Sequence, residues 1–384
     1  MTFLIYLAVT LIVFQVSVSF FYIYKAIRFE PVSSENDDKS VSILIPYYNE
    51  TPQDIIDTLN SIANQNSTYV KQVVLVNDGS NNGCNLDVEN HLSSNNFSFT
   101  VDHIQKPENG GLKSIAMNYG YPYLSKESDY IVVIDSDTVL AQDAIRNSVS
   151  FMESHPNFSA ASGAISIKDG KSMMERLQYY EHIGIYPVMK HGQSAIGFCS
   201  VLAGAFCIHR KGAMDEVGHW QNWLVEDISW TWKARVMGNF IGYIPTAHAY
   251  TTCPVSMNAF FKQRRRWARG RIEAFKEALK KNYKRSIYCL PWLAYWMAGI
   301  FVPFMWIALS ILKFDVFIVL FSLTMLMNFY GCYKYQVIHN RKVSLSEVFR
   351  STLVSFFQDW LVSIPHFCGV IDEIFGRKKV WATR

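Results

Sequence analysis

Short acidic, basic and aromatic clusters punctuate the chain: Pro46-Tyr-Tyr-Asn-Glu50, Val76-Asn-Asp-Gly-Ser80, Asp135-Ser-Asp137, Glu226-Asp227 and Gln263-Arg-Arg-Arg-Trp267. Asp135 and Asp137 are hard oxygen donors one residue apart. They could hold Mg²⁺ or Mn²⁺ against a diphosphate that carboxylates alone would repel; loop aspartates also commonly cap helices. Asp78 could accept a hydrogen bond from the N–H of uracil, or be an ordinary turn aspartate. Glu50 could reach a ribose or base, with Tyr48 against the ring. Glu226-Asp227 could supply a general base that takes the proton of an attacking hydroxyl, or could be acids favoured by a helix N-terminus. Trp220, Trp223, Trp230 and Trp232 around that pair suit a sugar-binding surface, although Trp230 and Trp232 cannot share one helix face. The arginines before Trp267 suit bidentate diphosphate recognition or anionic lipid, and Trp267 offers a flat apolar platform for a sugar ring.

Such groups need elements to position them. Residues 41–45 read as a buried strand ended by Pro46, 52–64 as a helix, and 72–76 and 130–134 as further strands. Strands alternating with helices predict a parallel α/β sheet, whose ligand crevice lies at the carboxyl ends of the strands. Asn49, Asp78 and Asp135 each fall just past such an end, as a nucleotide site requires.

Half of the 384 residues are hydrophobic, 15% are aromatic and only 18% are charged, which is low for a wholly soluble protein. The net charge of +4 does not suggest a nucleic-acid binder. Residues 2–24 carry no charge and precede Lys25 and Arg28, which predicts an uncleaved anchor with its C-terminal end in the cytoplasm. Residues 286–312 and 316–333 read as two further spans, and Lys334, Arg341 and Lys342 suit a return to the cytoplasm. The stretch 351–371 contains Asp359. If it spans, Arg377-Lys378-Lys379 falls outside, against the positive-inside tendency; the other readings are an interfacial or re-entrant segment. The seven cysteines form no C-x-x-C pair, so reduced packing cysteines are expected rather than a zinc ribbon or a disulfide scaffold.

Taken in this order, the motifs resemble those of family 2 processive glycosyltransferases, the cellulose, chitin, hyaluronan and poly-N-acetylglucosamine synthases. The resemblance covers about residues 41–271 with the flanking membrane segments. It implies a cytoplasmic GT-A-type α/β domain, a mostly parallel sheet with flanking helices, joined to transmembrane and interfacial helices. The implied layout is an anchor (1–27), linker (28–40), GT-A domain (41–254), interfacial helical segment (255–285), C-terminal membrane helices (286–375) and basic tail (376–384). Residue by residue, Asp78 matches the uridine-binding aspartate, in a nucleotide-sugar site with Pro46, Tyr48 and Glu50. Asp135 and Asp137 match the diphosphate and metal motif, and Asp227 the base supported by Glu226. Gln263, Arg266 and Trp267 match the motif that holds the diphosphate and the acceptor terminus. Lys113 resembles the lysine of the family's N-x-G-K segment, with Leu112 inserted before it. Ala203-Gly204-Ala205-Phe206, followed by Arg210, resembles the loop that supports the acceptor sugar.

The Glu226–Lys233 and Gln263–Gly270 stretches look most similar to poly-β-1,6-N-acetylglucosamine synthases, whereas Asp135-Ser-Asp-Thr138 looks like the hyaluronan and chitin type. The implied function is processive, inverting polymerisation of a β-linked polysaccharide from UDP-N-acetylglucosamine at a plasma or inner membrane, coupled to export. A cellulose-, hyaluronan- or chitin-like synthase with another UDP-sugar is the alternative. A non-processive transferase acting on a lipid carrier usually lacks Q-x-x-R-W, and an inert scaffold would be marked by a lost acidic residue. A pure channel leaves the strand-end acids without a use. The expected partners are the UDP-sugar, the growing polysaccharide and the bilayer, with room for a small membrane subunit or an export partner.

Overall fold

The computed structural model describes residues 1–31, 38–168, 170 and 172–378. Part of the expected linker (32–37) and most of the basic tail (379–384, with Lys379) therefore lie outside the described residues. Among the described residues eight strands form one sheet: β1 (Val41–Tyr47), β2 (Val70–Asn77), β3 (Thr100–Gln105), β4 (Tyr130–Ile134), β5 (Val139–Leu140), β6 (Phe158–Ile167), β7 (Phe206–Arg210) and β8 (Phe240–Thr251), in the order β3-β2-β1-β4-β7-β6-β8-β5. The run β3-β2-β1-β4 is parallel, as the alternation of strand and helix patterns predicts. Beyond it β7 runs antiparallel to both β4 and β6, β6 pairs parallel with β8, and β5 pairs antiparallel with β8. The sheet is thus parallel where the nucleotide motifs lie and mixed on the other side.

Helix α1 (Thr2–Arg28) opens the chain; α2 (Pro52–Ala63), α3 (Cys84–Ser94), α4 (Lys113–Gly120), α5 (Ala144–Ser154), α6 (Met173–His182), α7 (Ile185–Ser194), α8 (Lys211–Val217) and α9 (Glu226–Met237) accompany the sheet. Every position of β1 is buried, so its two faces feed two cores. Val41, Ile43 and Ile45 meet Ile55 and Leu59 of α2 and Ile145 and Val149 of α5 on one side. Leu44 meets Met117 of α4 and Trp230 of α9 on the other. Helices on both faces explain why β1, β2 and β4 read as continuous apolar runs. Pro52 at the first turn of α2 and the Thr51 side chain accepting from Asp54 N–H fix where that helix starts.

Helix α10 (Met257–Lys281) then leads into α11 (Leu290–Leu312), α12 (Phe314–Ile338) and α13 (Leu345–Ile374). Among the described residues four helices are long and apolar enough to cross a membrane: Thr2–Arg28, Arg285–Leu312, Phe314–Ile338 and Leu345–Ile374. The stretch 351–371 is the middle of one unbroken helix of 30 residues, despite Asp359 and Pro365. That is the length a span takes, and a re-entrant break is not seen in it. The seven cysteines are all free.

Trp220, Trp230 and Trp232 do not form a sugar-binding surface. Trp230 and Trp232 are fully buried on opposite sides of α9, and their indole N–H groups donate to the carbonyls of Gly218 and Ser200. Trp220 packs in the same core as Trp230. These rings anchor the helix that carries Glu226 and Asp227. Trp232→Ala should therefore cost about 3–5 kcal/mol, seen as a lower Tm of the detergent-solubilised protein, whereas Leu86→Ala at an exposed site should leave Tm unchanged.

Candidate active site

Because β2, β1 and β4 are parallel neighbours, their carboxyl ends bring Asp78, the Tyr48–Glu50 turn and Asp135 to one edge of the sheet. Asp78 is buried there and held from three directions. Gly110 N–H donates to both its oxygens (3.1 and 3.0 Å), the Asn109 amide donates at 3.1 Å, and Lys106 Nζ lies 2.9 Å away. A carboxylate has about four acceptor sites, and three donors in four contacts fix this one in place.

The centre of the site is an ammonium among carboxylates. Lys113, the first residue of α4, forms an ion pair with Asp135, lies 3.4 Å from Glu226 Oε1 and donates to the Gly204 carbonyl at 3.0 Å. Burial pulls the Lys113 pKa down, but Asp135, Glu226 and Asp227 outweigh it and hold the ammonium charged above its ordinary range. Asp227 is raised to about 6 by burial and by its neighbour Glu226, against the lowering effect of Gly204 N–H, Lys113 and Ile228 N–H. The two backbone bonds are 2.9 Å (Gly204) and 2.6 Å (Ile228). Gly204 sits close to all three charged groups: a Cβ there would lie 3.1 Å from Lys113 Nζ, 3.2 Å from Glu226 and 3.3 Å from Asp227, so they would have to give by a few tenths of an ångström. A carboxylate tuned near neutrality and fixed by two N–H groups can accept a proton from a ligand hydroxyl.

Asp137, also buried, accepts from the Thr251 and Thr252 hydroxyls at the end of β8. Among the described residues no group of three or more His, Cys, Asp and Glu is placed to hold a metal ion. Asp135 and Asp137 fit a hard divalent cation of the kind that takes one or two protein carboxylates and completes its shell with substrate phosphate and water.

Gln263, Arg266 and Trp267 stand on α10, which packs across α9. Arg266 donates to the Leu224 carbonyl at 3.3 Å, Glu273 accepts from Leu224 N–H at 3.0 Å, and so α10 grips the segment just before Glu226-Asp227. Burial lowers the Arg266 pKa, with Glu226, Asp227 and Asp135 acting against it, which places the guanidinium in the field of the acidic cluster. The Arg264 guanidinium lies 4.3 Å from the centre of the Trp267 ring and is held by Glu181 at 2.7 Å. A cavity of about 1250 Å³ joins Asp78, the acidic cluster around Lys113 and the Gln263, Arg264, Arg266 and Trp267 side of α10.

Pro46, Tyr48, Glu50, Asp78, Lys113, Asp135, Asp137, Gly204, Ala205, Glu226, Asp227, Gln263, Arg266 and Trp267 all line that cavity. Phe206 does not: it is buried in the sheet core. Arg210 is at the far end of β7, over the Tyr130 ring and bonded to the Phe158 carbonyl. The arginine run also corrects the lipid-facing reading, because Arg264, Arg265 and Arg269 pair with Glu181, Asp372 and Glu373. Sequence reasoning missed Lys106, Glu181 and Glu273. Lys106 stands three residues before Asn109-Gly-Gly and could have been found; Glu181 and Glu273 carry no local signal.

A mixed α/β sheet with acids at the carboxyl ends of its parallel strands and a carboxylate pair facing them defines a GT-A glycosyltransferase fold. Residues 130–334 match the family described as "Glycosyl transferase family group 2", and the chain belongs to that family. It is 28% identical over 256 residues to the poly-β-1,6-N-acetyl-D-glucosamine synthase of Staphylococcus aureus (strain COL), a match covering 65% of this chain and 60% of that protein. The enzyme of the same name from Staphylococcus epidermidis is 28% identical over 264 residues, 67% of this chain and 62% of that protein. The chain thus spans less than two thirds of the length of these curated relatives. A solved mannosyltransferase from Pyrobaculum calidifontis in complex with GDP-Man and Mn²⁺ aligns with 98% of this chain and 100% of its own, at TM-score 0.67 and 16% identity, a likeness of fold.

Lys113→Met leaves buried Glu226 and its half-buried neighbours Asp135 and Asp227 together without their cation. It should cost about 3–5 kcal/mol at pH 8. The deficit in Tm should shrink as pH falls towards 5, because Asp227, raised to about 6 even beside the ammonium, then takes up its proton. The wild-type ammonium, whose pKa lies above its ordinary value, stays charged across that whole range.

Proposed function

We propose that the chain is a processive, inverting glycosyltransferase that polymerises a β-linked polysaccharide, poly-N-acetylglucosamine from UDP-N-acetylglucosamine. The observation that carries this reading is the position of Asp227. It faces a cavity that begins at Asp78 and continues between α1, α11 and α13, where Gln15, Gly299 and Asp359 line it. A donor bound at one end and a path among candidate membrane helices at the other suit a transferase that keeps its product.

In this reading Asp78 takes the uracil N–H, and Gln263 and Arg266 hold the diphosphate. Ionised Asp227 accepts the proton of the acceptor hydroxyl as its oxygen bonds to the anomeric carbon. The bond to the diphosphate breaks on the opposite face, so the configuration inverts and UDP leaves. Glu226 and Lys113 keep Asp227 oriented, and Gly204 and Ala205 lie beside the acceptor with the exposed edge of Trp267. Mg²⁺ or Mn²⁺ on Asp135 and Asp137, when bound, would neutralise charge on the departing diphosphate. Lys25, Arg28, Lys334, Arg341 and Lys342 at the helix ends favour a cytoplasmic catalytic face in a multi-pass membrane protein.

Purified protein in lipid, given radiolabelled UDP-N-acetylglucosamine, UDP-glucose or UDP-glucuronate with Mg²⁺ or Mn²⁺, should make high-molecular-weight product from UDP-N-acetylglucosamine. Single-sugar products from every donor would overturn the processive reading. Asp227→Asn should lower transfer about 10²–10⁴-fold with UDP binding retained. Transfer should also fall as pH drops through about 6, where Asp227 takes up its proton. Removing the Lys113 charge with Lys113→Gln should move that limb to higher pH, since the ammonium lowers the Asp227 pKa.

A further inference from the structure

A concentration of positive charge lies away from the cavity, where the ends of α9 and α10 meet the start of α11. The 3-10 turn Arg285–Cys289 packs against α9 and α10 and runs straight into α11. It therefore stands at the entry of the candidate span Arg285–Leu312. From Lys276 to Arg285 the sequence holds five basic residues and one acid, Glu277. Lys276 is paired with Glu373, and Glu277 acts on Lys233 of α9. Among the described residues no carboxylate forms an ion pair with Lys280, Lys281, Lys284 or Arg285.

Arg235, in the last turn of α9, completes the cluster. Its half-buried guanidinium is stacked among three rings, 5.4 Å from the centre of Phe198, 5.6 Å from Phe240 and 5.2 Å from Tyr288. Among the described residues no group accepts a hydrogen bond from it; Nε is shielded and the terminal nitrogens are open. Burial lowers its pKa, Cys289 and Tyr288 act against that, and Arg285 adds to the lowering, so no carboxylate is among the groups that act on it. Arg285 reaches over the same helix end: a Cβ on Gly238, whose φ of +106° closes α9, would lie 3.0 Å from Arg285 Nη1. The C-termini of α9 and α10 both attract cations here, but about half a negative charge at each does not balance so many.

The same turn exposes Ile287, Tyr288 and Leu290. Tyrosines at the start of a span lie at headgroup level, and basic clusters at that depth draw anionic lipid. We propose that Arg235 and Arg285, with Lys281 and Lys284, form a headgroup site for one anionic phospholipid on the outside of α11. Its phosphate accepts from the two guanidiniums, whose planar forks match phosphate oxygens. The lysines neutralise the rest of the headgroup, and the acyl chains cover Ile287 and Leu290. A soluble phosphate ester offers the same anion but leaves those apolar side chains uncovered. The bound lipid fixes the C-terminal end of α9, the helix that begins with Glu226 and Asp227, to the membrane surface.

The test is titration of the full chain in detergent with phosphatidylglycerol or phosphatidylcholine, with bound lipid counted by native mass spectrometry. Wild type should hold phosphatidylglycerol more tightly than phosphatidylcholine. Arg235→Gln/Arg285→Gln and Lys281→Gln/Lys284→Gln should each weaken phosphatidylglycerol binding, by about fivefold for every charge removed, the worth of one basic residue at an anionic surface. Phosphatidylcholine binding should not change. The two lysines are exposed, so their variant decides the matter even where loss of the arginines disturbs packing. Lys25→Gln/Arg28→Gln, which removes the same charge from the end of α1, should keep the phosphatidylglycerol affinity of wild type. Equal affinity of wild type for the two lipids, undiminished binding in the lysine variant, or an equal loss in the α1 variant would overturn the site. Displacement of the lipid by an equal concentration of glycerol 3-phosphate would overturn its assignment to lipid.

Discussion

One buried ammonium holds the site together. Asp135 comes from a strand end, Glu226 and Asp227 from the start of a helix, and Gly204 from the loop before β7, and Lys113 touches or neighbours all of them. Without a cation, three carboxylates packed this closely would repel one another in a medium that screens charge poorly. With it, they become a fixed arrangement in which Asp227 is tuned towards neutrality. The same contact links the start of α4, the end of β4 and the start of α9 to one another.

A second constraint joins that centre to the membrane helices. Helix α10 holds Leu224 from both sides through Arg266 and Glu273. At its other face Arg265, Arg269 and Lys276 form ion pairs with Asp372 and Glu373 near the end of α13. The helix carrying Gln263, Arg266 and Trp267 is therefore a rigid bridge between the acidic cluster and a candidate span. A displacement of α13 would reach the segment before Asp227 through these few side chains. The Arg264 guanidinium, fixed by Glu181 against Trp267, sets the orientation of the ring at the junction.

Much of this was legible in the sequence, for identifiable reasons. The strands at 41–45, 72–76 and 130–134 are apolar runs closed by Pro46, Asn77-Asp-Gly and Asp135, so both their existence and their carboxyl ends could be read. The acids and the α10 motif were legible because their residue types are costly to keep unless they bind something. The antiparallel β7 was not legible, since Phe206–Arg210 has no periodicity that separates direction of pairing. The roles of Trp230 and Trp232 were misread because an indole looks the same on a sugar face and in a core. Lys113 looked displaced by the inserted Leu112, yet the turn at Gly110-Gly111 and the start of α4 return its side chain to the carboxylates. The partners of Arg264, Arg265 and Arg269 are far away in sequence, so only the tertiary fold distinguishes internal ion pairs from a lipid-facing run.

In the proposed polymerase the acceptor end of the polymer sits at Asp227 while its body lies in the path between α1, α11 and α13. The most direct measurement is an electron cryomicroscopy structure of the full chain in nanodiscs, frozen during incubation with UDP-N-acetylglucosamine and Mn²⁺. Uridine is expected at Asp78, with saccharide density that starts beside Asp227 and Trp267 and continues towards Gly299. Nucleotide bound away from Asp78, or saccharide leaving the site towards solvent with the path between those helices closed, would contradict it.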